Sequence, residues 1–301
     1  MSDSLPRYER PKEVPPTPVP LDPSTLIPVA ALEDALAASA LSEGGKALAR
    51  GLIRLGRPAV FGGGGAGIEY GSLLKTAARP DYIAAHVREA AEHLHARQVD
   101  LLMVPGMSGY PVGAMYSVVA GVPAVLLKKQ RYEQRPGGEE PEGGYPPGAF
   151  VIPSYTGDAD VLISADLTSV QDIVNTVLRG QLDAQAGHER LAFSLRVAGA
   201  DDIIDKATMS QAVSDSALIV GKAAIRSFVE RYRADSGDAR PVSDSVEVVA
   251  WVTPLIKGYN RPHEQLQRWF GITPFAGINV TSVHLDPPAI GIEGLGVVAF
   301  S

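Results

Sequence analysis

Three acidic residues follow one of the most regular apolar segments of the chain. Residues 191–197 form an apolar run of strand length, and a helical pattern begins about ten residues later. Between them, and at the start of the helical pattern, lie Asp201, Asp202, Asp205, Lys206, Ala207, Thr208 and Met209. Free amides and the dipole at a helix start attract a phosphate, and carboxylates accept hydrogen bonds from sugar hydroxyls. The segment therefore predicts a site for a sugar phosphate.

The order of these residues resembles a known motif. In type I phosphoribosyltransferases that act on 6-oxopurines, the segment that binds phosphoribosyl pyrophosphate reads acid-Asp-Ile-Ile-Asp-Thr-Gly-small-Thr-Met. Residues 201–209 read Asp-Asp-Ile-Ile-Asp-Lys-Ala-Thr-Met, so the Thr-Gly pair is missing. The phosphate loop is expected to be shorter and to lack the glycine that lets amides approach a phosphate closely. A surface turn before a capped helix is the alternative interpretation.

An α/β unit is predicted upstream of the acids. Apolar residues recur at helical spacing over 81–98, which indicates an amphipathic helix. Residues 99–104 and 122–127 are apolar runs without alternation, as in parallel strands covered on both faces. A Gly-containing turn and a short helix over 105–120 connect them. The segment is thus predicted to be a βαβ unit.

A basic pair closes the second of these strands. Lys128 and Lys129 follow residue 127, at a strand end where α/β folds bind ligands. Type I phosphoribosyltransferases show the same order of elements, ending in a basic pair. The resemblance implies that these lysines and the backbone of Met107, Ser108 and Gly109 bind pyrophosphate, a leaving group that needs cations and oriented amides placed in advance. A solvated basic strand end is the alternative.

The resemblance covers about residues 80–257 and implies both a fold and an activity. The fold is an α/β fold with a central, mostly parallel sheet and a small irregular hood. The activity is transfer of ribose 5-phosphate from phosphoribosyl pyrophosphate to a nucleobase, with a purine favoured, and release of pyrophosphate with Mg²⁺. The small-molecule partners are therefore phosphoribosyl pyrophosphate and the base, and a homodimer is expected.

The resemblance also implies a role for each site residue. Asp201 and Asp202 would hold the ribose hydroxyls, directly or through the metal, and Asp205 would shuttle the proton of the base. The residues around the helix start would cradle the 5′-phosphate; they are Lys206, Ala207, Thr208 and Met209. Lys257, which ends the apolar run 246–256, would meet the exocyclic oxygen of the base, with a surface lysine as the alternative.

Composition divides the chain into three parts. Residues 1–24 are rich in Pro and charge and are predicted to form an extended arm. Residues 25–257 are predicted to be the core. Within the core, Gly, Pro and Glu at 130–149 predict a long loop, and the resemblance implies that it is mobile and closes over the reacting centre. Residues 166–190 are predicted to be a helical insertion. Residues 258–301, with many Gly and Pro, are predicted to form a C-terminal cap.

Three other interpretations stay open. The glycines at 62–67 satisfy G-x-G-x-x-G after a short strand, which permits a dinucleotide-binding oxidoreductase. Residues 161–166 also run from strand to helix, but offer one acid at Asp166 where sugar binding favours two. The shortened phosphate loop permits a sensor or regulator that binds phosphoribosyl pyrophosphate or a nucleotide without turnover.

The bulk properties limit the function classes. The net charge is −7 over 301 residues, which argues against general binding of nucleic acids or anionic membranes. There is no cysteine, which excludes thiolate catalysis, disulfides and Cys-type metal sites. No apolar run is long enough to span a membrane. A cytoplasmic protein is expected.

Overall fold

A central sheet organises the computed structural model, which describes residues 5–9, 21–61, 65–69, 79–132, 144–153 and 160–300. Its strands are ordered β13-β12-β11-β10-β8-β3-β4, and β9 pairs with β10. The pairs from β4 to β11 are parallel, and the β11-β12 and β12-β13 pairs are antiparallel. The sheet is therefore mostly parallel, as predicted. The strands of the described chain are β1 Arg57–Phe61, β2 Gly65–Glu69, β3 Leu101–Val104, β4 Ala124–Leu126, β5 Lys128–Arg131, β6 Phe150–Pro153, β7 Asp160–Ser164, β8 Leu191–Ala200, β9 Ile203–Ile204, β10 Val242–Lys257, β11 Phe275–Leu285, β12 Pro288–Ile292 and β13 Gly296–Ala299.

Helices cover both faces of this sheet. One apolar cluster contains α1 to α4 and the other contains α5 to α7. Their bounds are α1 Leu32–Ala38, α2 Glu43–Leu55, α3 Pro80–Ala96, α4 Tyr110–Ala120, α5 Leu167–Ala184, α6 Thr208–Ser236 and α7 Pro262–Phe270. Ser42 and Asp166 cap α2 and α5 by accepting backbone N–H groups. Within the described residues, no helix is long and apolar enough to cross a membrane.

Strand β3 shows why the apolar runs lack alternation. Successive side chains of a strand point to opposite faces. Leu101 and Met103 belong to the cluster on one face, and Leu102 and Val104 belong to the cluster on the other. All four are buried. A strand covered by helices on both sides needs apolar residues at every position, so the continuous run at 99–104 correctly predicts a central parallel strand.

A second sheet, ordered β5-β7-β6, lies beside the main one. Its three strands are antiparallel. Residues 122–127 were expected to form one strand that ends in the two lysines. Instead β4 ends at Leu126, and Lys128 begins β5 in the second sheet. Leu127 stands between the sheets with its side chain completely buried.

The N-terminal residues that the structure describes lie against this second sheet. Arg7 forms a parallel bridge with Val151 of β6. The Tyr8 hydroxyl donates to Asp215 of α6 at 2.8 Å, and its ring packs edge-on against Phe150. Residues 5–9 of the predicted arm thus connect the second sheet to the longest helix. Most of the rest of that arm, 1–4 and 10–20, falls outside the described residues.

The C-terminal region contains regular structure. Gly and Pro content predicts an irregular cap over 258–301, but β11, β12 and β13 extend the main sheet. Strand β11 pairs with β10 in parallel, from Phe275 opposite Val252 to Val280 opposite Lys257. Local composition misses these strands because each is stabilised by pairing with a neighbouring strand, β11 with β10, β12 with β11 and β13 with β12.

The Gly-rich segment at 62–67 does not have the context of a dinucleotide fingerprint. Strands β1 and β2 form an antiparallel pair, with Phe61 opposite Gly65, and residues 62–64 lie outside the described residues. A dinucleotide site needs the glycines to connect a parallel strand to a helix. Here Gly65 and Gly67 are in the second strand of a two-stranded sheet. The described residues therefore do not support the dinucleotide fingerprint on which the oxidoreductase interpretation depends.

Candidate active site

The acid pair lies at the carboxyl end of β8. The backbone N–H of Asp201 still donates to the Val252 carbonyl of β10 at 3.2 Å, so the pair is fixed by the sheet. Asp201 and Asp202 are only 8% and 4% exposed. Within the described chain, neither carboxylate forms a salt bridge. Buried carboxylates without a cation are costly, which is a feature of sites that await a ligand.

The electrostatics of the pair reflect this burial. Removal from water, and then the negative charge of Asp202, hold the pKa of Asp201 well above its usual range. The Asp202 N–H donates to Asp201 Oδ1 at 2.9 Å, and the positive charge of Lys129 also opposes the shift. Burial and the negative charge of Asp202 thus disfavour ionisation of Asp201, and a cation placed between the two acids would favour it.

The turn between β3 and α4 is in contact with both the acids and the basic pair. A Cβ added at Gly109 would lie 2.9 Å from Asp201 Oδ1, and one added at Gly106 would lie 2.8 Å from the Cβ of Lys129. Both glycines are buried, whereas Met107 is 72% exposed. Close packing without a side chain thus brings three segments together that are distant in sequence: the turn, the acid pair and the start of β5.

One hydrogen bond fixes the position of the lysines. The Tyr110 hydroxyl, at the start of α4, donates to the Leu127 carbonyl. Lys128 and Lys129 follow directly and are exposed. Their ammonium groups are therefore accessible to an anionic ligand, while their backbone is held against the turn.

Asp205 and Lys257 form an ion pair. The Lys257 ammonium lies 3.1 Å from Asp205 Oδ2, and the Asn260 side chain donates to the other carboxylate oxygen. Lys257 is buried and Asp205 is half-buried. The residues expected to move the proton and to meet the base are thus in direct contact with each other.

The start of α6 differs from an ordinary capped helix. Ala207, which precedes Thr208, has φ 59° in the left-handed region and makes no side-chain capping bond. This region favours glycine, and here an alanine adopts it. Lys206, Thr208 and Met209 are half-buried around this turn. Uncapped amides in the first helical turn can take an anion.

The rival site at 161–166 is not supported by the structure. Asp166 accepts the backbone N–H of Thr168 at 3.2 Å and the Ser169 hydroxyl at 3.2 Å. It is the N-cap of α5.

The predicted loop over 130–149 lies partly outside the described residues, which omit 133–143. At its start, residues 130 and 131 belong to strand β5, Lys128–Arg131.

The donor set limits the kind of metal that the site could hold. In the described ranges, no group of three or more His, Cys, Asp or Glu side chains is arranged around a metal position. Mg²⁺ needs only one or two carboxylates when substrate phosphates supply other ligands. Asp201 and Asp202 fit a cation of that kind, which would arrive with a phosphorylated ligand.

Sequence reasoning missed the residues that support the site. Asn260 and Tyr110 have no motif around them, and both act through contacts with distant segments. His86 and Tyr116 also have no motif around them; they are completely buried and joined by a 2.8 Å hydrogen bond. After burial, the charge of Asp202 contributes to raising the pKa of Tyr116. This pair lies under the acids and gives no signal in the sequence.

Comparison with known proteins gives matches among solved structures only. No protein-family model and no curated protein matches the chain. The adenine phosphoribosyltransferase of Giardia lamblia in complex with 9-deazaadenine is 12% identical, with 79% of this chain and 98% of that chain covered and a TM-score of 0.45. The adenine phosphoribosyltransferase of Rhodothermus marinus is 11% identical, with 78% of this chain and 98% of that chain covered and a TM-score of 0.42. The adenine phosphoribosyltransferase of Thermoanaerobacter pseudethanolicus is 15% identical, with 74% of this chain and 95% of that chain covered and a TM-score of 0.39.

These neighbours are phosphoribosyltransferases, the class whose motif residues 201–209 resemble. The α/β fold class of this protein rests on its own sheet and helices.

Proposed function

We propose that the protein is a phosphoribosyltransferase that transfers ribose 5-phosphate from phosphoribosyl pyrophosphate to a nucleobase. The proposal rests on one observation: three segments meet at the carboxyl ends of the central strands. Gly109 lies against Asp201, and Gly106 lies against Lys129. An acid pair, a turn with close backbone approach and exposed cations are what a sugar with both a phosphate and a pyrophosphate requires.

Each part of the substrate has a group that suits it. The hydroxyls of ribose would donate to Asp201 and Asp202, two buried acids that form no salt bridge within the described chain. The 5′-phosphate would take the amides at the start of α6, with the Thr208 hydroxyl. The pyrophosphate would lie against the turn at 105–109 and the ammonium groups of Lys128 and Lys129. Mg²⁺, when bound with the substrate, supplies positive charge to the leaving pyrophosphate.

In the reaction, the bond from the ribose C1 to pyrophosphate breaks and a bond from C1 to a ring nitrogen of the base forms. Pyrophosphate leaves with the bonding electrons, and the base loses a proton. Asp205 is the candidate acceptor of that proton, and Lys257 would steady the negative charge of the carboxylate before the transfer. Opening of their 3.1 Å contact would accompany binding of the base.

A panel assay tests the proposal. Pyrophosphate release is measured with phosphoribosyl pyrophosphate, Mg²⁺ and each of a set of purine and pyrimidine bases. The proposal requires release that depends on one base, with formation of the matching nucleotide. Binding of phosphoribosyl pyrophosphate without release for any base would overturn the transferase assignment.

Binding without turnover is the second candidate function. It is favoured by one observation, because both carboxylate oxygens of Asp205 are engaged, by Lys257 and by Asn260. A carboxylate held in this way must give up one of these partners before it can contact a base. In that case the protein would be a sensor of phosphoribosyl pyrophosphate or of a nucleotide, and titration calorimetry would detect binding while the panel assay gave no product.

A further inference from the structure

Residues 5–8 extend the second sheet at the edge of β6 that lies opposite β7. The Tyr8 N–H donates to the Val151 carbonyl at 3.1 Å, and the Val151 N–H donates to the Pro6 carbonyl at 2.9 Å. These two bonds flank the parallel bridge between Arg7 and Val151. The N-terminal segment therefore pairs with β6 as a further strand would, and it covers this edge of the sheet.

The same segment contacts both faces of the second sheet. Successive side chains of an extended segment point to opposite faces. Leu5 packs with Tyr132 in the small apolar cluster on one face, where the guanidinium of Arg7 also lies 5.3 Å from the centre of the Tyr132 ring. Tyr8 packs on the other face, in the cluster that contains Phe150 and residues of α6. Residues 5–8 thus pass around the edge of the sheet and reach α6.

The Tyr8 hydroxyl connects this sheet to the first part of α6. It donates to Asp215 Oδ2 at 2.8 Å, and Asp215 lies about two turns after Thr208, at which α6 begins. Burial, and then the hydrogen bond to Asp215 and its negative charge, hold the pKa of Tyr8 well above its usual range. The hydroxyl therefore remains a donor at neutral pH, and a hydrogen bond to a carboxylate is among the stronger ones.

Tyr8 is also in register with the basic pair. Its ring packs against Phe150 of β6. Phe150 is paired with Ile163 of β7, and Ile163 is paired with Lys129 of β5. One row across the sheet therefore runs from the Tyr8 ring to Lys129. A displacement of the second sheet relative to α6 would displace this row, and the lysines with it.

We propose that Tyr8 is a positioning residue that holds Lys128 and Lys129 at the required distance from the start of α6. The proposal rests on the function proposed above and deepens it. In that function, phosphoribosyl pyrophosphate spans the two elements, with its 5′-phosphate at α6 and its pyrophosphate at β5. One end of such a ligand helps the other end to bind only when the spacing of the two sites matches the ligand. Tyr8 acts on this spacing and not through contact with the ligand.

Calorimetric titration of the full chain with three ligands tests this role. Phosphoribosyl pyrophosphate, ribose 5-phosphate and pyrophosphate are each titrated in the presence of Mg²⁺. Tyr8→Phe keeps the ring on Phe150 and removes the bond to Asp215. It is expected to weaken binding of phosphoribosyl pyrophosphate by about 5-fold or more, while ribose 5-phosphate and pyrophosphate bind as they do to the wild type. A purely structural role would not separate the whole ligand from its two halves.

Two further variants complete the experiment. Asp215→Ala removes the same bond from its other side, and the double variant with Tyr8→Phe should lose no more affinity than either single variant, because the two residues act through one contact. Tyr232→Phe is the matched control. The Tyr232 hydroxyl donates to Asp238 at 2.7 Å near the other end of α6, so its loss should leave the binding of all three ligands unchanged.

The possible failures of the two proposals differ. Unchanged binding of phosphoribosyl pyrophosphate to Tyr8→Phe, or an equal loss for all three ligands, would overturn the positioning role and leave the transferase proposal intact. A wild type that does not bind phosphoribosyl pyrophosphate would overturn the transferase proposal, and the positioning role with it.

Discussion

At the scale of single residues, the acid pair is where stability and function oppose each other. Asp201 and Asp202 are buried side by side, and neither forms a salt bridge in the described chain. Buried acidic groups without an ion-pair partner destabilise the fold, and they are tolerated where they serve a ligand. The motif at 201–209 could be predicted from the sequence, because it is local. The depth of burial could not, since it depends on packing under the turn at 105–109.

The double substitution Asp201→Asn and Asp202→Asn separates the two effects. Pyrophosphate release is expected to fall by at least about 100-fold, because the ribose hydroxyls lose their charged acceptors. The melting temperature is expected to stay the same or to rise, because two buried acidic groups without a salt bridge are replaced by neutral amides. Initial rates and thermal unfolding measure both. Asp172→Asn with Asp183→Asn, on the exposed face of α5, is the control. A large loss of stability with activity retained would make the turn purely structural.

His86 sets an expected pH dependence of stability. Burial lowers its pKa from 6.5 to about 3. Between these values the unfolded chain binds a proton that the folded chain does not. The contribution of His86 to stability is therefore fully present above pH 6.5 and is lost as the pH falls towards 3, by about 1.4 kcal/mol per pH unit.

Urea unfolding at pH 7.5 and pH 5.0 measures this loss. His86→Phe removes the hydrogen bond to Tyr116 and lowers the free energy of unfolding at both pH values. Between pH 7.5 and pH 5.0, however, the free energy of unfolding should fall in the wild type by about 2 kcal/mol more than in the variant. An equal fall in the wild type and the variant would show that His86 is not responsible.

At the scale of elements, the pattern of apolar runs predicts individual strands and helices, but it does not predict contacts between segments that are distant in sequence. Strand β3, strand β10 and the helix before the βαβ unit follow from local periodicity. The division between β4 and β5 does not, because the residues on either side of Leu127 look like one strand that ends in lysines. The contact of Asp205 with Lys257 likewise joins two segments separated by 52 positions. Only the tertiary fold decides such pairings.

The turn before α4 gives a prediction at this scale. In Gly109→Ala, the added Cβ would lie 2.9 Å from both Asp201 Oδ1 and the Pro105 carbonyl. The turn or the carboxylate must then shift. Activity is expected to fall by about 10-fold or more, because small displacements of a catalytic group are costly. Initial rates measure the effect.

Gly180→Ala is the matched control for this substitution. Gly180 lies within α5, and its added Cβ would meet nothing within 4 Å. It should keep full activity and raise stability by about 0.5–1 kcal/mol. Full activity in Gly109→Ala would show that the turn does not position the acid.

At the scale of the whole molecule, one apolar surface is uncovered. Val118 and Val119 of α4 and Leu126 of β4 are exposed, Val118 by 81%. Within the described residues, β4 pairs only with β3 and forms the edge of the main sheet. An apolar helix face beside an unpaired strand edge favours association, and the homodimer that the sequence resemblance implies stays a prediction.

Sedimentation measures the oligomeric state. The wild type is expected to be a dimer, and Val118→Glu is expected to shift it towards the monomer, because it places a charge in the contact between copies. Ile219→Glu, at a residue of α6 that is 45% exposed, is the control and should remain dimeric. A monomeric wild type, or a dimeric Val118→Glu, would contradict the assignment.

The single residue between the two sheets has a consequence for how the protein can change over evolution. Leu127 is the only residue between β4 and β5, so this connection cannot absorb a change in chain length without moving one of the strands. One inserted residue would turn Lys128 and Lys129 to the opposite sides of their strand and pull the Leu127 carbonyl away from Tyr110. Lineages that alter the reach of these cations must therefore exchange side chains and keep the chain length at this crossing.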